Sequence, residues 1–319
     1  MDMATMRQIA AEAGVSMATV SRALKNGEMV SEDTLQKILD VKRKLETNSN
    51  ACNIIGALVA PNSNSFYHEV LRYIEIKLRN EGYTLISILN GRDISADRDM
   101  DQLCSLNVKA ILWMTPGQPS EQMRQKIKVR GVPLVQIFTK AYEDIDSIII
   151  NDEEGGYQAA RNLIQAGHKK IMFIGQPDTY HWHGFIRAFT ERGLEEPSEN
   201  ALFVSVDRNQ VTTIRAAIQR IQPTAVFTHT ELVTIETIQA CKQMNLAIPK
   251  NISMIAYDDY PWMSMMEISA ISHPMSGIAN NAYELLLNRI QTGTFTQHPV
   301  VHLTVEPRLI SRNSVRILR

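Results

Sequence analysis

From residue 54 onward, short apolar runs alternate with segments of helical hydrophobic period, and this alternation confines the chain to few folds. Residues 54–60 read as a strand, and 69–80 as a helix with Val70, Ile74 and Leu78 inward. A strand at 83–89 and a helix to about 106 come next. Strands at 110–114, 133–138 and 147–150 then follow, with a helix near 120–128. The pattern restarts with a helix at 154–166, a strand at 170–175 and a helix over 185–192. Strands at 202–206, 225–228 and 252–257 are separated by helices near 211–221 and 232–244. Apolar strands alternating with amphipathic helices predict a parallel sheet covered on both faces. Two such series predict two doubly wound α/β units. No run approaches 18 apolar residues, so no membrane span is expected.

The N-terminus follows another rule. Residues 5–26 read as two short helices joined by a tight turn. Met6, Ile9, Ala10 and Ala13 recur at helical spacing, and Thr5 with Gln8 forms a capping box. Gly14 supplies the positive φ that ends the first helix, and Ser16 caps a second with Val20 and Leu24 inward. The other side carries Met17, Ala18, Ser21 and Arg22, the layout of a helix-turn-helix whose second helix enters the DNA major groove. Leu35, Ile38, Val41 and Leu45 predict a third helix over 31–46. Residues 1–50 hold seven Lys/Arg (7, 22, 25, 37, 42, 43, 44) and seven Asp/Glu (2, 12, 28, 32, 33, 40, 46). Nonspecific phosphate attraction is therefore modest, and tight DNA binding needs specific contacts and two headpieces on one site.

The run from Ala10 to Leu24, AAEAGVSMATVSRAL, resembles the DNA-binding signature of the LacI/GalR family of bacterial regulators, and Val30-Ser31-x-x-Thr34 resembles the start of its third helix. Further likeness lies in Ile55-Gly56, Gly82-Tyr83, Glu154-Gly155, Gly167-His168, Pro223-Thr224-Ala225, Pro249, Tyr257-Asp258-Asp259 and the closing Glu306-Pro307-Arg308-Leu309-Ile310. The resemblance implies a headpiece (1–46), a linker (47–53) and a periplasmic-binding-protein-like effector domain (54–319). That domain would hold an N-subdomain (54–150 and 275–303) and a C-subdomain (151–274 and 304–319), with crossings near 151, 275 and 304. The linker departs from the family. It is shorter and lacks the Pro, Arg and Leu of the hinge helix that wedges a leucine into the minor groove.

The resemblance also implies contacts. Thr5, Met6, Ser16, Met17, Ala18, Thr19, Ser21, Arg22, Lys25 and Asn26 would face DNA, with Arg22 the best polar candidate for a guanine edge or a phosphate. Ligands of open α/β sheets bind beyond the carboxyl ends of the strands. The first strand leads to Phe66 and Tyr67, an aromatic pair that can stack on a sugar or base or simply cap the core; Thr115 follows the third strand. The second unit offers His181, where relatives have an arginine, and Trp182 as a stacking ring. Glu231 stands where relatives have an aspartate, and Asp258 follows a strand, in a ligand or capping role.

Adjacent His181, Trp182 and His183 seldom aim at one ion, so no metal is expected. Cys52, Cys104 and Cys241 are far apart, without zinc spacing, and suit a reducing compartment. Phosphate loop, nucleophile elbow and zinc-protease motifs are absent, so neither an enzyme nor a cofactor is expected. Two readings result. The first is a cytoplasmic bacterial repressor that binds a pseudo-palindromic operator as a homodimer and answers to a small-molecule effector, a sugar or sugar derivative, in the cleft. The second is a ligand sensor of the same fold with weakened or lost DNA binding, acting through protein partners.

Overall fold

A computed structural model describes residues 6–26, 30–48, 53–60, 65–89, 96–115, 119–205, 209–292 and 299–318. The chain divides into two compact units, residues 1–53 with 82–84 and the remainder. Among the described residues no helix is long and apolar enough to cross a membrane.

The first unit is a three-helix headpiece: α1 (Met6–Ala13), α2 (Met17–Asn26) and α3 (Glu32–Asn48). Gly14 has φ +65°, and the Val15 N–H returns to the Ala10 carbonyl at 3.0 Å. This is the six-to-one closure of a Schellman motif. The Ser16 hydroxyl then accepts from the Thr19 N–H at 3.1 Å and starts α2. Ile9, Ala10, Ala13, Val20, Ala23 and Ile38 form the small core, with Val15, Leu24, Leu35 and Val41 against it. Met6, assigned to the apolar face on its spacing, is instead exposed, because the first helical turn overhangs this core. Helix α3 runs two residues past 46, so Thr47 and Asn48, predicted as linker, are helical; residues 49–52 lie outside the described residues.

In the second unit, one sheet contains β1 (Ile54–Val59), β2 (Thr84–Leu89), β3 (Ala110–Met114), β4 (Leu134–Ile137), β5 (Asp146–Ile150) and β11 (His302–Val305), in the order β11-β5-β4-β3-β1-β2. Helices α5 (Ala96–Ser105) and α6 (Glu121–Arg130) bury Met100, Leu103 and Ile127 against one face, while α4 (Ser65–Asn80) and α12 (Met275–Thr292) pack on each other. The other sheet contains β6 (Ile171–Gly175), β7 (Ala201–Phe203), β8 (Ala225–Thr228), β9 (Ser253–Tyr257), β10 (Ser269–Ser272) and β12 (Arg308–Ile310), in the order β12-β10-β9-β8-β6-β7. Only β12 of this sheet is antiparallel to its neighbour among the pairs described.

Strand alternation divides the second sheet's core. Phe173, Phe227 and Tyr257 face α7 (Asp152–Gln165) and α8 (Tyr180–Thr190). Met172, Val226 and Met254 face α9 (Val211–Ile221) and α10 (Glu231–Gln243), with α11 (Pro261–Met265) beside them. The chain passes between sheets after β5, after β10 and after β11. Because β11 extends to Val305, the third passage falls at Glu306–Pro307, just beyond 304. Strand β7 is shorter than the 202–206 expected, since it is an edge strand held by β6 alone.

Helices α7 and α8 approach so closely that only hydrogen fits at two positions. A Cβ on Gly156 would lie 2.0 Å from the His181 carbonyl oxygen, and one on Gly184 would lie 1.8 Å from that of Glu153. Backbone cannot yield there as a flexible side chain can. Arg187 ties the outer edge of the pair, donating to Glu153 at 2.5 Å and Glu154 at 2.9 Å. Gly184→Ala is expected to cost about 1–3 kcal/mol of stability through overpacking, read from chemical denaturation; an unchanged unfolding midpoint would refute the close-packing account.

Candidate functional site

The headpiece presents α2 as a reading surface. Val20 and Ala23 are buried, while Ser16, Met17, Ala18 and Arg22 are exposed and Thr19 and Ser21 half-buried. The Arg22 Nε donates to the Ala18 carbonyl at 3.2 Å, which lays the guanidinium along the outer face of the helix. Met6 stands exposed at the start of α1. Thr5 lies outside the described residues, as do the side chains of Lys25 and Asn26.

In the second unit the carboxyl ends of the two sheets converge. Phe66 and Tyr67, at the start of α4, form an aromatic cluster with Phe138, with centroids 4.8 Å from Phe138 in both cases. Phe66 also meets His273 of the other subdomain edge-on at 5.2 Å. His273 Nε2 lies 2.9 Å from Asp258 Oδ1, and its ring packs 5.0 Å from Tyr257. The Tyr257 hydroxyl donates to Asp152 Oδ1 at 2.6 Å. His181 Nε2 is 3.6 Å from the same oxygen, and the His181 ring touches Tyr257 at 4.1 Å and His229 at 4.3 Å. One continuous cluster thus runs from the aromatic face of the N-subdomain to the acids and imidazoles of the C-subdomain.

Burial sets the electrostatics. It pushes the Tyr67 phenol up to about 12, and the carboxylates of Asp258 and Asp152 add to the rise. Burial raises Asp152, against the hydrogen bond from Tyr257. It holds His181 well below the usual imidazole value, reinforced by His229 and His273, and brings His229 down to about 4. The Gln176 N–H donates to His229 Nδ1 at 3.4 Å, so the neutral ring carries its proton on Nε2. Among the described residues no group of His, Cys, Asp and Glu is arranged to hold a metal ion.

Two sequence candidates lie elsewhere. Trp182 is not a cleft ring: it is buried against Phe173, stacked on Phe185 and edge-on to Phe203. Helix α8 already begins at Tyr180, capped by Thr179, so successive side chains turn about 100° apart, His181 toward the cluster and Trp182 into the core. Glu231 accepts from the Trp262 indole N–H at 2.9 Å, committing its carboxylate to joining α10 and α11. Thr115 is buried at the end of β3.

Phe138, Asp152, His229, Tyr257 and His273 escaped the sequence reading. A positional signal was present: Phe138, His229, Asp258 and His273 each directly follow the last residue of a strand. Phe138 and Asp258 also hold φ of +65° and +66°, a conformation costly for side-chain-bearing residues and concentrated at functional sites.

The depressed imidazole of His229 has a pH consequence. Its folded pKa near 4 lies below the ordinary 6.5, so its contribution is intact above 6.5 and is lost as pH falls from about 6.5 to about 4. The expected loss over that whole window is about 3 kcal/mol. His229→Asn keeps an acceptor for Gln176 and removes the titration. Denaturation midpoints from pH 7 to 5 are expected to fall less in this variant than in the parent chain; parallel profiles would contradict the buried neutral assignment.

Comparison with known proteins agrees with this architecture. The family model for bacterial regulatory proteins of the lacI family matches residues 5–48, and that for a periplasmic binding protein-like domain matches residues 160–315. The chain is 29% identical to the HTH-type transcriptional repressor PurR of Vibrio vulnificus (strain CMCP6), over 98% of this chain and 99% of that protein. It is 27% identical to PurR of Pectobacterium atrosepticum, over 98% and 97%. Among solved structures, the regulator CelR in complex with cellobiose superposes with a TM-score of 0.71 at 22% identity, over 97% of this chain and 99% of CelR. The lac repressor dimer bound to operator and the anti-inducer ONPF superposes with a TM-score of 0.70 at 18% identity, over 98% and 99%. The chain thus joins a DNA-binding domain that matches the lacI family of bacterial regulatory proteins to a periplasmic binding protein-like domain: it is a DNA-binding transcriptional regulator with an effector-binding domain, not an enzyme.

Proposed function

We propose that the chain represses transcription in the bacterial cytoplasm by binding a pseudo-palindromic operator as a homodimer, under the control of a sugar or sugar derivative held in the cleft. The observation that carries the DNA reading is the two-sided α2. Buried Val20 and Ala23 fix its inner face, and Met17, Ala18 and Arg22 are exposed on the outer one. Arg22 suits a guanine edge or a phosphate, and Met17 and Ala18 suit thymine methyl groups. The PurR relatives are themselves named repressors.

Pairing is supported by charge and by surface chemistry. A near-neutral headpiece gains little from phosphate attraction alone, so two headpieces on two half-sites supply what one lacks. The Glu231–Trp262 hydrogen bond joins α10 to α11, and these elements carry exposed Leu232, Ile235 and Met265, followed by exposed Met266. Exposed apolar side chains on adjoining elements suit a two-fold interface with a second copy. In the cleft, Phe66, Tyr67 and Phe138 offer rings for the apolar face of a sugar, and Asp152, Asp258 and the imidazoles offer partners for its hydroxyls.

Selection of bound duplexes from a random pool with the full chain is expected to enrich an inverted repeat, and Arg22→Ala to cost about 1–3 kcal/mol of affinity for it. A pool without an enriched repeat would favour the ligand sensor acting through protein partners. Sedimentation is expected to show a dimer that Ile235→Asp converts to monomer with unchanged far-ultraviolet circular dichroism; a variant that remains dimeric would remove this surface from the interface.

A further inference from the structure

We infer that the cleft selects by charge and hydrogen-bond polarity: its ligand is uncharged or cationic and rich in hydrogen-bond donors, and the phosphorylated or carboxylated forms of such a ligand are rejected. This rests on the reading of the cleft as the effector site.

Two acids stand within the cluster. Asp152 opens α7 and receives the Tyr257 hydroxyl, and Asp258 follows β9 and receives His273. Among the described residues Asp152 meets Tyr257 and His181 and is ion-paired to no arginine or lysine, while Asp258 meets His273 and Tyr260. His181 is a ring that burial keeps neutral, so it brings no fixed positive charge to these acids.

The hydrogen-bond directions point the same way. His273 directs Nε2 to the Asp258 carboxylate, and in the neutral ring that bond takes the proton and leaves Nδ1 an acceptor. Asp152 Oδ1, 3.6 Å from His181 Nε2 and beyond hydrogen-bond reach, favours by Coulomb attraction the tautomer that carries its proton on Nε2. Both Nδ1 atoms are buried, and neither has a hydrogen-bond partner in the protein. A buried acceptor without a partner is costly, and a ligand O–H or N–H removes that cost. A phosphate or carboxylate brings only acceptors to a surface of lone pairs and carboxylates. Burial already disfavours the charged form of Asp152, so a second negative charge in the same low-dielectric region is opposed by Coulomb repulsion as well.

The test is a thermal-shift series on the full chain with matched probes: D-glucose and D-glucosamine against D-glucose 6-phosphate and D-gluconate, D-ribose against D-ribose 5-phosphate, and adenosine against adenosine 5′-monophosphate. Ligands that bind only the folded chain raise its melting temperature. At least one uncharged or cationic probe is expected to raise the Tm while its anionic counterpart leaves it unmoved. In Asp258→Asn, which keeps a residue type tolerant of φ +66°, the rise is expected to shrink. A rise from an anionic member at least equal to that of its neutral counterpart would overturn the charge selection and leave the effector site standing. A series without any rise would overturn the effector reading and this inference with it.

Discussion

The arrangement of the effector domain depends on Asn151, the residue at which the chain first leaves one sheet for the other. Its side-chain oxygen accepts from the Glu154 N–H at 3.2 Å and starts α7, while its amide nitrogen donates to Glu306 at 3.0 Å, beside the third passage. Its backbone N–H bonds the Val305 carbonyl at the end of β11. The next residue, Asp152, receives Tyr257 from the core of the C-subdomain. Connection and site are therefore one piece of structure. Any change in how Asp152 is held bears on the strand that links the subdomains, so a ligand that binds one arrangement better shifts the population between arrangements.

The close packing of α7 and α8 extends this logic. Gly156 and Gly184 let two backbones approach to distances no Cβ permits, and His181 is on α8 where the helix passes over α7. Across this close approach the imidazole comes to 3.6 Å from Asp152 of α7, and it also meets Tyr257 and His229. Trp182, one residue on, fills the aromatic core on Phe173 and Phe185, so packing and site formation share one helix turn.

Much of this was legible in the sequence. The strand–helix alternation follows from sheets buried on both faces, and Gly14, Ser16 and Val20 mark the headpiece turn through local backbone chemistry. What escaped was non-local. The partner of Glu231 is Trp262, 31 positions away, and nothing near Glu231 signals that its carboxylate is already committed. His273 follows an edge-proximal strand and gains meaning only when Phe66 of the other subdomain comes within 5.2 Å. His181 and Trp182 differ by one residue, and only the start of α8 at Tyr180 decides which faces the cleft.

The central claim of the proposed function is that the state of the cleft governs the grip of the headpiece. The most direct measurement is the affinity of the full chain for its selected inverted repeat, by fluorescence anisotropy at fixed salt, with and without a saturating cleft ligand found by thermal shift. The account expects affinities that differ by at least about fivefold, the lower end of ordinary allosteric coupling. Equal affinities in the two conditions would contradict it.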